Sequence, residues 1–221
     1  MNLKKYFGMA ALICMMSVSA EAAQINTIID TGSGMFAEPE KVYNEIDNTV
    51  KGWFCPSEEE QRNMTFSERQ ALREVSHTFV PTSDSDAIVQ IYREEKGSTV
   101  NSDEMVTGTQ SRDVSMTKED LTNLSKELGA DYIIYFRVTN TVPTTSIGFM
   151  SAGQKTNVTT DFRIWNAKEE KYAFVKRYQT TGSSSSFYVG MGSASKAVKD
   201  GLEKALKQIS ADKAKILEVV K

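Results

Sequence analysis

The stretch "LGADYIIYFRVTN", residues 128–140, constrains the fold more than any other. Leu121, Leu124 and Leu128 lie on one stripe of a helix, and Gly129 supplies the left-handed conformation that ends it. The run that follows alternates large side chains on both sides. Tyr132, Ile134, Phe136 and Val138 point one way, and Ile133 and Tyr135 point the other. A strand apolar on both faces must be covered on both, which places it in the middle of an α/β sheet with helical layers above and below.

The flanking segments supply those layers. "QINTIID" reads as a first strand, with Ile25, Ile28 and Ile29 as its apolar members, and "TGSGMF" turns the chain after it. Val42, Ile46, Val50 and Phe54 recur every four residues behind Pro39, which marks a helix that Cys55 and Pro56 end. Residues 57–64 are polar, and "FSERQALREV" supports a turn or two of helix. "HTFVPT" reads as a short strand stopped by Pro81. "SDSDAIVQIYREEKG" is a helix capped by Ser83 or Asp84, with Ala87, Ile88, Ile91 and Tyr92 as its stripe and Gly97 at its end. Residues 98–114 are polar, with a weak strand around Met105 and Val106 as one reading. Thr117 and Asp120 form a capping box ahead of the leucine stripe.

Downstream, "TNVTTDFRIWN" and "KYAFVKRYQTT" alternate across "AKEE" as an antiparallel hairpin, with Val158, Thr160, Phe162 and Ile164 on one face. A helix from about Ala194 buries Val198, Leu202, Ala205, Leu206 and Ile209, and "ADKAKILEVVK" extends it or frays. The expected fold is therefore a single three-layer α/β domain: a mixed sheet with a carboxy-terminal antiparallel hairpin and a long closing helix.

The amino terminus sets the compartment. Lys4 and Lys5 precede an uncharged apolar run, Tyr6 to Val18, and Ala20-Glu21-Ala22 follows as an A-x-A cleavage site. This is the pattern of a secretory signal cut after Ala22, leaving residues 23–221 as one exported domain in the periplasm or cell envelope. The run of 13 residues is short of the roughly 20 that span a bilayer. Ala11, Leu12 and Ile13 before Cys14 lack the small residues of a lipidation site. With Lys4, Lys5 and Glu21 gone, 26 basic and 29 acidic side chains become 24 and 28, a net charge of −4. No basic cluster is left to neutralise a row of phosphates, so nucleic acid is not an expected partner. Cys55 is the only cysteine of the mature chain, and its place after Trp53 and Phe54 predicts burial as a small hydrophobe.

Candidate chemistry is sparse. His77 is the sole histidine, with no G-x-S-x-G elbow beside it, and it reads as a histidine satisfied at a strand start. One histidine and one mature cysteine do not make a zinc set, and no calcium-loop pattern occurs. Gly190-Met191-Gly192 lacks the third glycine and the following strand of a dinucleotide loop. No cofactor, metal or catalytic residue is expected. The aromatic and arginine residues of the hairpin stand out instead. Arg163, Trp165, Tyr172, Phe174 and Arg177 form a candidate protein-binding surface, with Lys176 and Tyr178 close by.

"LSKELGADYIIYFRVTN", the hairpin "TTDFRIWNAKEEKYAFVKRYQTTG" and the closing "SASKAVKDGLEKALKQI" together resemble a group of bacterial envelope proteins. The group comprises curli secretion channel lipoproteins, the amino-terminal domain of the Tol–Pal propeller protein, and lipoprotein activators of penicillin-binding proteins. The resemblance covers roughly residues 78–210. It implies an exported accessory protein that binds another envelope protein, with homo-oligomerisation left open. The chain departs from the group in lacking a convincing lipidated cysteine, barrel-forming hairpins between Thr141 and Thr156, and propeller repeats. Two other readings are a secreted hydrolase using His77 or Cys55, and a surface component that self-associates through a strand edge.

Overall fold

The computed structural model describes residues 22–31, 35–98, 115–147, 151–187 and 193–221. The expected export signal up to Glu21, the strand expected around Met105 and Val106, and Gly190-Met191-Gly192 lie outside the described residues.

The central strand holds the molecule together as its sequence predicts. β3 (Tyr132–Asn140) pairs in parallel with β1 (Ala23–Thr31) on one side and antiparallel with β5 (Ser151–Asn166) on the other. β2 (His77–Phe79) adds to β1 in parallel, β4 (Thr144–Ile147) pairs with β5, and β6 (Lys171–Phe187) pairs with β5 along its whole length. The result is a mixed six-stranded sheet.

Helices cover both faces. α1 (Pro39–Phe54), the long α6 (Ala194–Ala211) and α7 (Lys213–Val219) pack on Ile25, Ile134, Phe136, Val158 and Phe162. α4 (Thr82–Ser98) and α5 (Lys118–Leu128) pack on Ile28, Ile133, Tyr135 and Trp165. Ile133, Ile134, Tyr135 and Phe136 are all fully buried, two on each side. Leu121, Leu124 and Leu128 form the predicted stripe of α5. Thr117 accepts from Asp120 N–H and gives its own N–H to Asp120 Oδ2 (2.7 Å), and Gly129 ends the helix at φ 62°.

Several elements differ from expectation. The polar stretch after Pro56 is helical, with α2 (Glu58–Asn63) held by a capping box between Ser57 and Glu60; α3 (Phe66–Glu74) follows where a turn or two of helix is expected, held by a box between Thr65 and Glu68. Neither helix buries a side chain fully, so caps rather than an apolar stripe define them. α4 begins at Thr82, with Pro81 O accepting from Asp84 and Ser85 N–H, so Asp84 lies inside the first turn instead of capping it. Its buried stripe is also rotated. Val89, Ile88 and Tyr92 face the core, whereas Ala87 and Ile91 face out, Ile91 at 56% exposure. The bond from Tyr92 O–H to Asp120 Oδ1 (2.8 Å) fixes that rotation against α5.

Cys55 is exposed, contrary to the burial expected of it. Trp53 and Phe54 take the inward positions of the last turn of α1, and Cys55 is the non-helical cap beyond them (φ −126°, ψ 58°). The hairpin strands, at 16 and 17 residues, run well past the alternating segments that mark them in the sequence.

Candidate functional site

The hairpin turn is fixed by Asn166, whose Oδ1 accepts from Glu169 N–H (3.0 Å), and by Glu170 in the left-handed region. From there β6 should alternate strictly, placing Tyr172 and Phe174 on one face. It does not, because a bulge intervenes: Ile164 pairs with Phe174, and Trp165 with Tyr172, leaving Ala173 as the extra residue. Past the bulge the phase is inverted.

The expected surface is therefore divided between two faces. Arg163, Trp165, Tyr172 and Arg177 share the α5 side with Val175 and Asp161. Phe174 turns to the opposite core, its ring centroid 5.7 Å from Phe162. Trp165 is 1% exposed and meets Tyr172 edge-on at 5.2 Å, so it supports the surface from beneath. The Arg163 guanidinium lies over both Tyr135 and Tyr172, 5.8 and 5.9 Å from their centroids. Arg177 forms a two-point bond with Asp161, at 2.6 Å from Nε and 3.1 Å from Nη2. Val175 is 60% exposed between these arginines. On the other side, Lys176 and Tyr178 both donate to Asp212, which holds the Asp212 carboxyl below the usual carboxylate range and ties β6 to the α6–α7 junction.

His77 and Cys55 are spatial neighbours but do not form a reactive pair. The thiol donates to the His77 backbone carbonyl (3.5 Å), and the imidazole Nε2–H donates to Val220 O (3.1 Å). Burial lowers the His77 pKa, and desolvation raises that of the Cys55 thiol. A nucleophilic thiolate needs the opposite shifts. Among the described residues, no group of three His, Cys, Asp or Glu side chains converges to hold a metal ion. No described helix is long and apolar enough to cross a membrane.

A second region carries only a faint mark in the sequence. A cleft of about 550 Å³ opens between α1 and α4 along the edge of β1 that β2 leaves uncovered. Its walls include Tyr43 and Asp47 of α1 and Ser85, Val89 and Arg93 of α4. Asn26 is 2% exposed and its Nδ2 has no hydrogen-bond partner; the Thr27 hydroxyl on the other face of the strand is also buried without one. Such a group costs about 1–3 kcal/mol, so two at one strand edge need a reason. Asp30, next along β1, accepts from Tyr135 O–H (2.8 Å) and from Arg93 (3.4 Å). The polar pair Asn26-Thr27 inside an isoleucine-rich strand was the available signal.

No family model and no curated protein matches the chain. Solved structures do. A hypothetical protein from Chlamydia trachomatis is 7% identical, with a TM-score of 0.40 over 89% of this chain and 98% of the other. Lipoprotein GNA1162 from Neisseria meningitidis is 14% identical, with a TM-score of 0.34 over 86% and 99% of the two chains. The LpoB C-terminal domain from Salmonella enterica is 12% identical, with a TM-score of 0.28 over 77% and 90%. These likenesses are at low identity and low TM-score, and they assign no activity.

Proposed function

We propose that this chain is an exported cell-envelope accessory protein that acts by binding another envelope protein through its β5–β6 hairpin. Residues 1–22 are the export signal and residues 23–221 the exported domain, a reading supported by the basic, apolar and A-x-A pattern of the leader. The observation that carries the binding role is the face of β6 itself. Val175 is 60% exposed beside Arg163 and Arg177, on a 17-residue strand at the rim of the sheet. An apolar side chain ringed by arginines over an aromatic support has the composition of a protein-binding centre.

A photo-crosslinking side chain at Val175 tests this in envelope fractions. It should yield one discrete heteromeric adduct that the same group at exposed Lys207 does not. Paired Val175→Glu and Arg177→Glu changes should weaken the isolated complex by about tenfold or more, a loss of about 1.4 kcal/mol or more. A ladder of adducts between copies of this chain would instead establish self-association, and identical products from both positions would refute a specific hairpin surface.

A further inference from the structure

β1 is paired along the whole of one edge and only at the start of the other. Gln24 O accepts from Asp131 N–H on the β3 side, whereas Ala23 N–H reaches Ser76 O and Ile25 O accepts from Val80 N–H on the β2 side. Peptide groups of successive strand residues alternate sides, so Thr27 and Ile29 present their N–H and C=O on the β2 side as well. β2 stops at Phe79, opposite Ile25, so no strand lies beside them among the described residues. Arg93 reaches into this edge, donating from Nη2 to Ile29 O at 3.3 Å.

The open edge, the two orphaned side chains and the cleft walls coincide. A row of backbone donors and acceptors at strand spacing is matched group for group by another extended backbone. Such a backbone also brings carbonyls within reach of the Asn26 amide and groups of both kinds to the Thr27 hydroxyl. The charge of the walls selects among sequences. Asp47 is paired with Lys51 (2.6 Å) and Arg93 with Asp30 outside the cleft, but Glu40 and Asp86 lie at the rim without an ion pair among the described residues.

We propose that the cleft between α1 and α4 binds an extended segment of another protein as an added strand along Thr27–Thr31, with a lysine or arginine of that segment meeting Glu40 and Asp86. This site is separate from the hairpin surface and does not depend on it.

The test is selection of phage-displayed random linear peptides on the purified exported chain, followed by synthesis of the peptide recovered. The peptide should carry lysine or arginine, and its binding should shift the amide resonances of Thr27 and Ile29 and the side-chain amide of Asn26. Methylating its backbone nitrogens, which removes donors without removing side chains, should weaken binding about tenfold or more. Asn26→Leu should do the same while leaving the thermal midpoint unchanged or higher, because it removes a buried donor that has no acceptor in the free protein. Glu40→Lys with Asp86→Lys, both at exposed positions, should abolish the preference for basic peptides without affecting the fold. Val175→Glu should have no effect on peptide binding, which separates failure of the hairpin reading from failure of this one. Selection with no enrichment, equal binding by the methylated peptide, or resonance shifts confined to the hairpin would each overturn the proposal.

Discussion

Phe162→Ala is expected to destabilise the protein by about 3–5 kcal/mol. The ring is fully buried and stands at the meeting point of three others: Phe136 at 4.9 Å, Phe174 at 5.7 Å and Trp53 at 6.2 Å. Those rings belong to β3, β6 and α1, so no single element can move in to fill the space. The loss comprises the transfer energy of the ring and the cavity that remains, and the rigid aromatic walls keep the second contribution large. At about 2–4 °C per kcal/mol for a domain of this size, the thermal midpoint should fall by about 6–20 °C. Urea unfolding should show a lower midpoint with the slope unchanged. A variant melting within a degree or two of the parent would mean that the α1 layer does not pack on the sheet as described.

Gly182→Ala is expected to be as damaging, by the opposite cause. A Cβ at Gly182 would lie 1.8 Å from Ala197 O and 2.6 Å from Gly201 N, both backbone atoms of α6. Thr180 Oγ1 donates to Gly201 O at 2.6 Å, which holds helix and strand at this separation. Overpacking typically costs about 1–3 kcal/mol, and here the whole helix must shift because the obstructing atoms are backbone, so the cost should reach the top of that range or pass it. Gly201→Ala makes the informative contrast. Its Cβ would meet Val158 Cγ2 at 2.5 Å and Val158 Cβ at 3.0 Å, with the nearest backbone atom, Gly182 N, at 3.3 Å, and alanine gains about 1 kcal/mol over glycine in a helix. Gly201→Ala should therefore be the milder variant in thermal melts. Equal melting of the two would show that α6 is not seated on Gly182.

The parts of this fold that could be read from sequence are those where one segment carries its own periodic signal. β3 and α5 are the clearest cases, since a two-sided apolar strand and a capped leucine stripe leave few alternatives. α2 has no periodic signal because Glu58–Asn63 has no apolar face, and its Ser57–Glu60 box is the one local mark of it. β4 and the outer halves of β5 and β6 are rich in Thr, Ser and Gly, and become strands by pairing with each other rather than by intrinsic preference. The candidate surface was legible as a set of residue types but not as a face. One bulged alanine sends Phe174 inward, and Trp165 is roofed by a helix whose position is a tertiary fact. The β1 cleft joins residues from Asn26 to Arg93; Pro81 marks β2 as short, but nothing local in either segment announces that its end leaves the edge of β1 open between α1 and α4.

The placement of β1 also bears on the order in which the sheet is assembled. The β5–β6 hairpin closes across four residues, whereas β1 meets β3 across a separation of 107. Closing the longer loop spends entropy before any contact repays it, so the hairpin should zip early and the amino-terminal strand dock last. Pulse-labelled hydrogen exchange would contradict this order if Ile28 were protected before Phe162. The strand nearest the amino terminus would then be the last to find its place, and the groove along it would exist only in a finished molecule.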